Sequence, residues 1–594
     1  MPPGSLIYDF GPFRLNPPDK TLTRDGRTVP LMPKVFDLLC MLVEHQGRLL
    51  ERQVLLDQVW PNTFVEEGNL SKAMFLLRQA LGQTGNEGPY IETIPKRGYR
   101  FIAEIRRFRE PHSDPATAVE GPSIAVLPFL DLSANRDLEY FCEGIAEEII
   151  NALTQLEGLR VASRSSSFQF SGKAPNLREV KVALNVSTVL QGSVRKSVTR
   201  LRITAQLVRL SDETQVWSQC FDRQEGDIFV IQEEIASAVI AGVAPQLLSS
   251  SPVIRRHTAN PEAYQLYLRG RYFWNRRPGE VVQEALKCFQ QALALDPNFA
   301  AAYAGIADVY GTLGSWEAGV LPPAEALVAS RAAARKALTL EPSLAEAHTS
   351  LGYAAHHFEW NLTDAEASYR KAIDLNPYYA VARHWHSHSL VAAGHFEEAL
   401  AESRKALELD PVDLILNVHM AWHYQMARQG ELAAEHARRV IQMDPSFHWG
   451  HYFMAAAHEL KGEYQEAVNA LRQACTVSNG NPVMTAWYGH ALALACERRQ
   501  ALAIAREVLV QGEKRGHFAY EAALIHSALG EMDEAFDLLN RARIQRSGWM
   551  SYILVDPRLD TLRRDSRFSH LVAAVALEGA LEHDSTSDAG PDTA

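Results

Sequence analysis

Between Leu70 and Leu81 the apolar residues fall on one stripe of a helix. Leu70, Met74, Leu77 and Leu81 coincide at about 100° per residue, with Ala73 at the edge. The spacing predicts a helix with that face buried and Gly82 as its C-terminal stop. The opposite face carries Lys72, Phe75 and Gln79, flanked by Asn69, Ser71 and Leu76. A simple surface helix rarely turns Phe75 and Leu76 outward, whereas a helix in a DNA major groove uses such a face. Lysine reaches phosphate or guanine, amides and hydroxyls reach base edges, and apolar atoms touch thymine methyls. Upstream, residues 6–31 alternate apolar and polar around turn signals and predict a small antiparallel sheet. Pro33 opens a helix running to about His45, with Val35, Leu38, Leu39, Leu42 and Val43 inward and Gly47 as its stop. Glu51 to Trp60 predicts a second helix. Downstream, Tyr90 to Arg100 predicts two short strands around a turn at Lys96-Arg97-Gly98, whose cations suit contact with a DNA backbone or minor groove.

Residues 106–122 hold Pro111, Pro115, Gly121 and Pro122 among polar residues and read as a linker. From 123 to 245 short strands such as Ser123–Phe129 and Leu201–Leu210 alternate with helical spacings such as Phe141, Ile145, Ile149 and Leu153. That order predicts an α/β domain. The run Ser163–Ser167 reads as a solvated loop, with anion binding as the alternative.

From about 260 to 575 the sequence repeats. Asp296-Pro297, Glu341-Pro342, Asn376-Pro377, Asp410-Pro411 and Asp444-Pro445 recur about every 34 residues after one longer interval, and Ala399, Ala433 and Ala467 keep the same step. This is the tetratricopeptide signature. It implies six to eight helix pairs in an all-α superhelix with a concave binding face. That face is expected to carry His384, His388, Asn417, Tyr424, His451 and His458 toward a protein or peptide, with affinity falling near pH 6 as imidazoles charge. His384, His386 and His388 with His356 and His357 raise a metal reading. No Glu follows as in a zinc protease motif, and no acidic or Cys partner has ligand spacing, so groove or packing roles are expected and no metal or cofactor is assigned. Residues 583–594 read as a disordered tail.

Length changes the picture only by requiring several cores: 594 residues exceed one domain. The net charge of −12 conceals an asymmetry. Residues 1–109 hold 15 Lys and Arg against 12 Asp and Glu, and the remainder 44 against 59. A mildly basic head on an acidic body suits a nucleic-acid module that the body does not itself carry to DNA. The six cysteines lack C-x-x-C spacing and are expected as free thiols in a reducing compartment. No signal sequence opens the chain, and the apolar tract around Ile235–Leu248 is broken by Gly242 and Pro245. A cytoplasmic protein without membrane contact is expected.

Val65 to Phe101, ending in "YIETIPKRGYRF", resembles the winged helix-turn-helix (α+β) output domain of OmpR/PhoB-type response regulators, in the variant of CadC- and ToxR-like regulators. The match extends over residues 5–105. The resemblance implies binding of double-stranded DNA through Asn69, Ser71, Lys72 and Phe75 on the recognition helix, with Arg78 on a phosphate and Lys96 and Arg97 in the wing. It also implies a surface for RNA polymerase in the loop 61–65. Residues 123–245, with "IAVLPF", "VLQGSV" and "LRITAQLV", resemble the amino-terminal domain of TolB and FlgO-like proteins, which implies no catalytic residues. Such segments follow nucleotide cyclase domains in some proteins; here the winged helix occupies that place. No nucleophile and base pair is found, so no enzyme is expected. The reading is a sequence-specific transcription regulator whose repeats recruit a partner; the alternative is a repeat scaffold whose winged helix serves protein contacts.

Overall fold

The computed structural model describes residues 6–16, 21–24, 27–29, 31, 33–59, 67–82, 90–94, 97–103, 105–109, 122–133, 135–154, 156, 158–170, 176–197, 200–224, 228–243, 257–276, 280–315, 320–513 and 517–587. The chain forms two compact units, residues 1–118 and 119–594.

The first unit opens with an antiparallel meander of β1 (Leu6–Phe10), β2 (Phe13–Asn16), β3 (Thr21–Arg24) and β4 (Arg27–Thr28). Then come α1 (Pro33–Glu44), β5 (Leu49–Glu51), α2 (Arg52–Val59), α3 (Glu67–Ala80), β6 (Ile91–Ile94), β7 (Gly98–Phe101) and β8 (Arg106–Arg109). The sheet order is β4-β3-β2-β1-β8, with a second sheet β5-β7-β6. Strand β8 corrects the linker boundary: residues 106–109 pair antiparallel with β1, from Leu6 opposite Arg109 to Asp9 opposite Arg106. The open edge of β1 offers unpaired backbone groups that this strand satisfies. Val35, Leu38, Leu39, Leu42 and Val43 of α1 and Leu70, Met74 and Leu77 of α3 are all buried in one core with Phe10, Phe13 and Phe101. Gly98 is needed where β7 crosses β5, because a Cβ there would sit 2.0 Å from the Leu50 carbonyl oxygen.

The second unit begins with β9 (Ser123–Val126), β10 (Leu130–Asp131), α4 (Glu139–Thr154), β11 (Arg160–Val161), α5 (Arg164–Phe168) and α6 (Leu177–Leu184). It continues through β12 (Thr188–Ser197), β13 (Arg200–Arg209), β14 (Thr214–Gln224) and α7 (Ile228–Val243). The sheet runs β11-β9-β12-β13-β14, parallel across β11, β9 and β12 and antiparallel thereafter. α4 and α7 cover one face through Ile145, Ile149, Ile235 and Val239, and α6 helps cover the other through Val180 and Leu184. The Ser163–Ser167 run is not a solvated loop. Ser163 caps α5, Ser166 and Ser167 are fully buried, and Ser166 Oγ donates to Asp410 Oδ1 in the repeat region.

Eight helix pairs follow among the described residues: α8 (Pro261–Asn275) with α9 (Glu280–Leu295), α10 (Ala300–Leu313) with α11 (Pro323–Leu340), α12 (Ala345–Ala354) with α13 (Leu362–Leu375), α14 (Ala380–Ala392) with α15 (Phe396–Leu409), α16 (Leu414–Met426) with α17 (Gly430–Met443), α18 (His448–Leu460) with α19 (Tyr464–Val477), α20 (Pro482–Leu494) with α21 (Arg498–Gly512), and α22 (Ala519–Ala528) with α23 (Met532–Ile544). The last helix, α24 (Ser566–Ser587), runs into the stretch expected as a tail; residues 588–594 lie outside the described residues. Ala365, Ala399, Ala433, Ala467, Ala501 and Ala535 are spaced 34 residues apart in the sequence and every one is fully buried, because a larger side chain would push the paired helices apart. The apolar core of the sheet continues into Tyr264 and Leu268 of α8. A chain of ion pairs joins them, with Glu147 of α4 held by Arg271 of α8 and by Arg164, each at 2.9 Å.

After α23 the chain turns back along the inner helices of the repeats. Short turns at Gly548–Tyr552 and Pro557–Leu559 place Trp549 beside Trp487 and Tyr520, and Tyr552 edge-on to Trp422. Trp360 Nε1 donates to the Ser547 carbonyl at 3.2 Å. The expected open concave face is therefore filled in part by the protein's own C-terminal segment.

Candidate nucleic-acid interface and repeat cleft

α3 keeps the two faces its spacing dictates. Its inner residues are buried, while Ser71, Lys72, Phe75 and Gln79 are exposed, Phe75 by 67%. Leaving a phenyl ring in water forgoes roughly 1.5–3 kcal/mol of burial, so a covered partner is the physical use for it. Asn69 lies in the first turn of α3, and its side chain is outside the described residues. The loop 61–65 and Lys96 are outside them too. Arg97 is exposed at the β6–β7 turn, where its N–H donates to the Ile94 carbonyl at 3.1 Å.

Arg78, which the resemblance puts on a phosphate, reaches the wing in the chain without DNA. It is half-buried, and its guanidinium donates to the Ile91 carbonyl at 3.2 Å and to Thr93 Oγ1 at 2.6 Å. It also lies 5.9 Å from the Tyr99 ring centre. These contacts tie α3 to β6 and β7, so the side chain holds the wing against the recognition helix. Burial lowers its pKa, and the nearby Tyr99 opposes that.

The six residues expected on the repeat groove divide. His384, His388, Asn417 and Tyr424 are buried. Asn417 Nδ2 donates to the Pro411 and Asp413 carbonyls at 2.9 and 2.7 Å, which fixes the start of α16. His451 and His458 are half-buried, the first 2.9 Å from the Pro445 carbonyl and the second paired with Glu463 at 2.6 Å. Burial pushes the imidazoles of His388 and His419 down, His388 well below its ordinary value and His419 to about 3. The expected charging near pH 6 does not apply to these rings. Beside them lies a cleft walled by Trp385, His388, His419, Trp422 and Tyr552, with Asp308 across it. His419 was not singled out in the sequence. Its signal was the repeat itself, since it follows His384 by 35 residues on the next inner helix.

No helix among the described residues is long and apolar enough to cross a membrane. Residues 26–101 match the family described as "Transcriptional regulatory protein, C terminal", and residues 282–314 match "TPR repeat". The chain is 27% identical to the transcriptional regulator HilA of Salmonella typhi over 71% of its own length and 74% of HilA. It is 30% identical to the transcriptional activator CadC of Escherichia coli over 20% of this chain and 23% of CadC. It is 34% identical to the protein named "Putative adenylate cyclase 3" of Rhizobium meliloti over 39% of this chain. The chain spans about two fifths of that last relative's length. Matched as it is, the first unit carries an OmpR/PhoB-type DNA-binding domain and the second carries tetratricopeptide repeats, the parts of a DNA-binding transcription regulator.

Proposed function

We propose that this protein is a sequence-specific transcription regulator that reads DNA with the outer face of α3 and recruits a protein partner through its repeats. The observation that carries the reading is the exposed Phe75 beside Lys72 and Ser71, on a helix whose inner face is completely covered. Lys72 and Ser71 supply polar contacts to bases or phosphates, and Phe75 supplies an apolar contact to a thymine methyl. Arg97, with Lys96, meets the backbone or minor groove from the wing. Arg78 positions the wing and makes no phosphate contact. The region 123–245 is read as a TolB-like module, and HilA and CadC, both named as transcription regulators, favour this function over a scaffold.

The test is binding of genomic fragments by the intact protein, followed by fluorescence anisotropy across a salt series. Lys72→Ala is expected to weaken binding by ~1–3 kcal/mol if it reads a base, and uniformly across sequences if it meets only phosphate. Unchanged affinity together with an unchanged salt slope refutes the assignment and leaves the scaffold reading.

A further inference from the structure

Three imidazoles from two successive repeats converge on one point. His388 Nε2 lies 3.0 Å from His419 Nδ1, and His384 Nε2 lies 3.2 Å from that same atom. One ligand nitrogen from each ring falls within 4.8 Å of the others. His384 and His388 are one helical turn apart on α14, and His419 faces them from α16. An imidazole nitrogen offers one proton or one lone pair, so His419 Nδ1 cannot complete two hydrogen bonds at once. A cation shared by three lone pairs satisfies all three. Nitrogens bound at ~2.0–2.1 Å around a tetrahedral zinc stand about 3.3–3.4 Å apart; the two pairs on His419 Nδ1 are slightly closer and the third lies within 4.8 Å, so binding needs only small shifts of the rings.

We propose that His384 Nε2, His388 Nε2 and His419 Nδ1 bind a divalent transition-metal ion of the zinc, copper, nickel or cobalt class. Three imidazoles without a carboxylate suit these ions rather than magnesium or calcium, which take oxygen. His388 and His419 are both buried. Both of those residues also wall the cleft, so the fourth position faces that space and is open to water or to a donor atom of a small ligand. Trp385 and Trp422 pack on His388 with ring centres 5.0 and 4.5 Å away, which fixes the ring in place. The site lies wholly in the repeats and stands whether or not α3 binds DNA.

The experiment uses tag-free full-length protein, stripped with chelator and titrated with Co²⁺ and then Zn²⁺. One Co²⁺ per chain is expected, with the visible absorption of a tetrahedral nitrogen site, displaced by Zn²⁺. His388→Gln and His419→Gln are expected to weaken binding at least about 100-fold. His570→Gln, at an exposed residue, should leave binding unchanged. Circular dichroism checks that each variant folds. If either does not, Cu²⁺ electron paramagnetic resonance on the unmodified protein decides, because three coupled imidazole nitrogens are expected. Absence of stoichiometric Co²⁺ binding, or binding undiminished in the folded variants, or fewer than three coupled nitrogens overturns the proposal.

Discussion

Replacing Arg78 by methionine separates two roles that predict opposite results. Methionine keeps the apolar stem and removes the guanidinium. The lost contacts include hydrogen bonds to the Ile91 carbonyl and Thr93 Oγ1 and the approach to Tyr99. Hydrogen bonds from a charged donor contribute about 1.5–3 kcal/mol each, and a half-exposed pair sits near the low end. A partly exposed cation over an aromatic ring adds ~0.5–1 kcal/mol. Allowing for shared contributions, the variant should lose about 2–4 kcal/mol. In a domain of this size each kcal/mol moves Tm by roughly 4–8 °C, so a fall of roughly 8–32 °C is expected. The assay is thermal unfolding of residues 1–118 followed by circular dichroism, since that unit has its own core. Its companion is DNA affinity against salt well below the lowered Tm. A positioning residue leaves the slope of log affinity against log salt unchanged, whereas a phosphate contact takes about one unit from it. An unchanged Tm with a slope reduced by one unit would refute the reasoning and return Arg78 to the DNA.

Three further outcomes follow from the second unit and from the boundary between the units. Arg558→Met should cost ~3–5 kcal/mol, because it leaves the fully buried Asp556 carboxylate without the guanidinium that now lies 2.7 Å away; a calorimetric Tm equal to the parent's contradicts this. Asp413 caps α16 beside Asp410 and the Ser163–Ser166 segment, and burial, together with the neighbouring Asp410 carboxylate, raises its pKa from 3.8 to about 6. The folded state therefore holds the proton more tightly. The stability from that proton is complete below about 3.8 and is lost as pH rises through about 6, so Asp413→Asn should flatten the fall in Tm between about pH 3.8 and 6. An equally steep profile in the variant assigns that fall to other groups. Residues 1–118 alone should bind DNA as the whole chain does and lose the protein partners recruited by the repeats; retention of every partner in a pull-down removes the repeats from recruitment.

What was legible in the sequence is what periodicity records. A 3.6-residue stripe reports a covered helix face, and Leu70, Met74, Leu77 and Leu81 are covered. A 34-residue step reports identical packing positions, and the alanines on it are sealed through Ala535, beyond the point where the acidic-Pro pairs fade. Contacts between unlike segments leave no period. Ser166 meets Asp410 across 244 residues, and β8 closes on β1 from the far end of its unit. Nothing in the local pattern of either partner announces the other. The same limit explains why two outward-looking faces met different ends. A pattern shows that a side chain points away from its own helix and is silent on what covers it. Phe75 is left uncovered by the described residues, which suits a partner outside the chain. His388 points away from α14 just as plainly, yet His419 and Trp422 pack against it and the returning Tyr552 packs edge-on to Trp422. The segment around Trp549 and Tyr552 folds as short turns with no helical stripe, so its role as an inner lining could not be read ahead. The groove that the repeats predicted is real in its helices. It is narrower in its chemistry, because the protein's own aromatic residues take up much of it and leave the histidine-walled cleft.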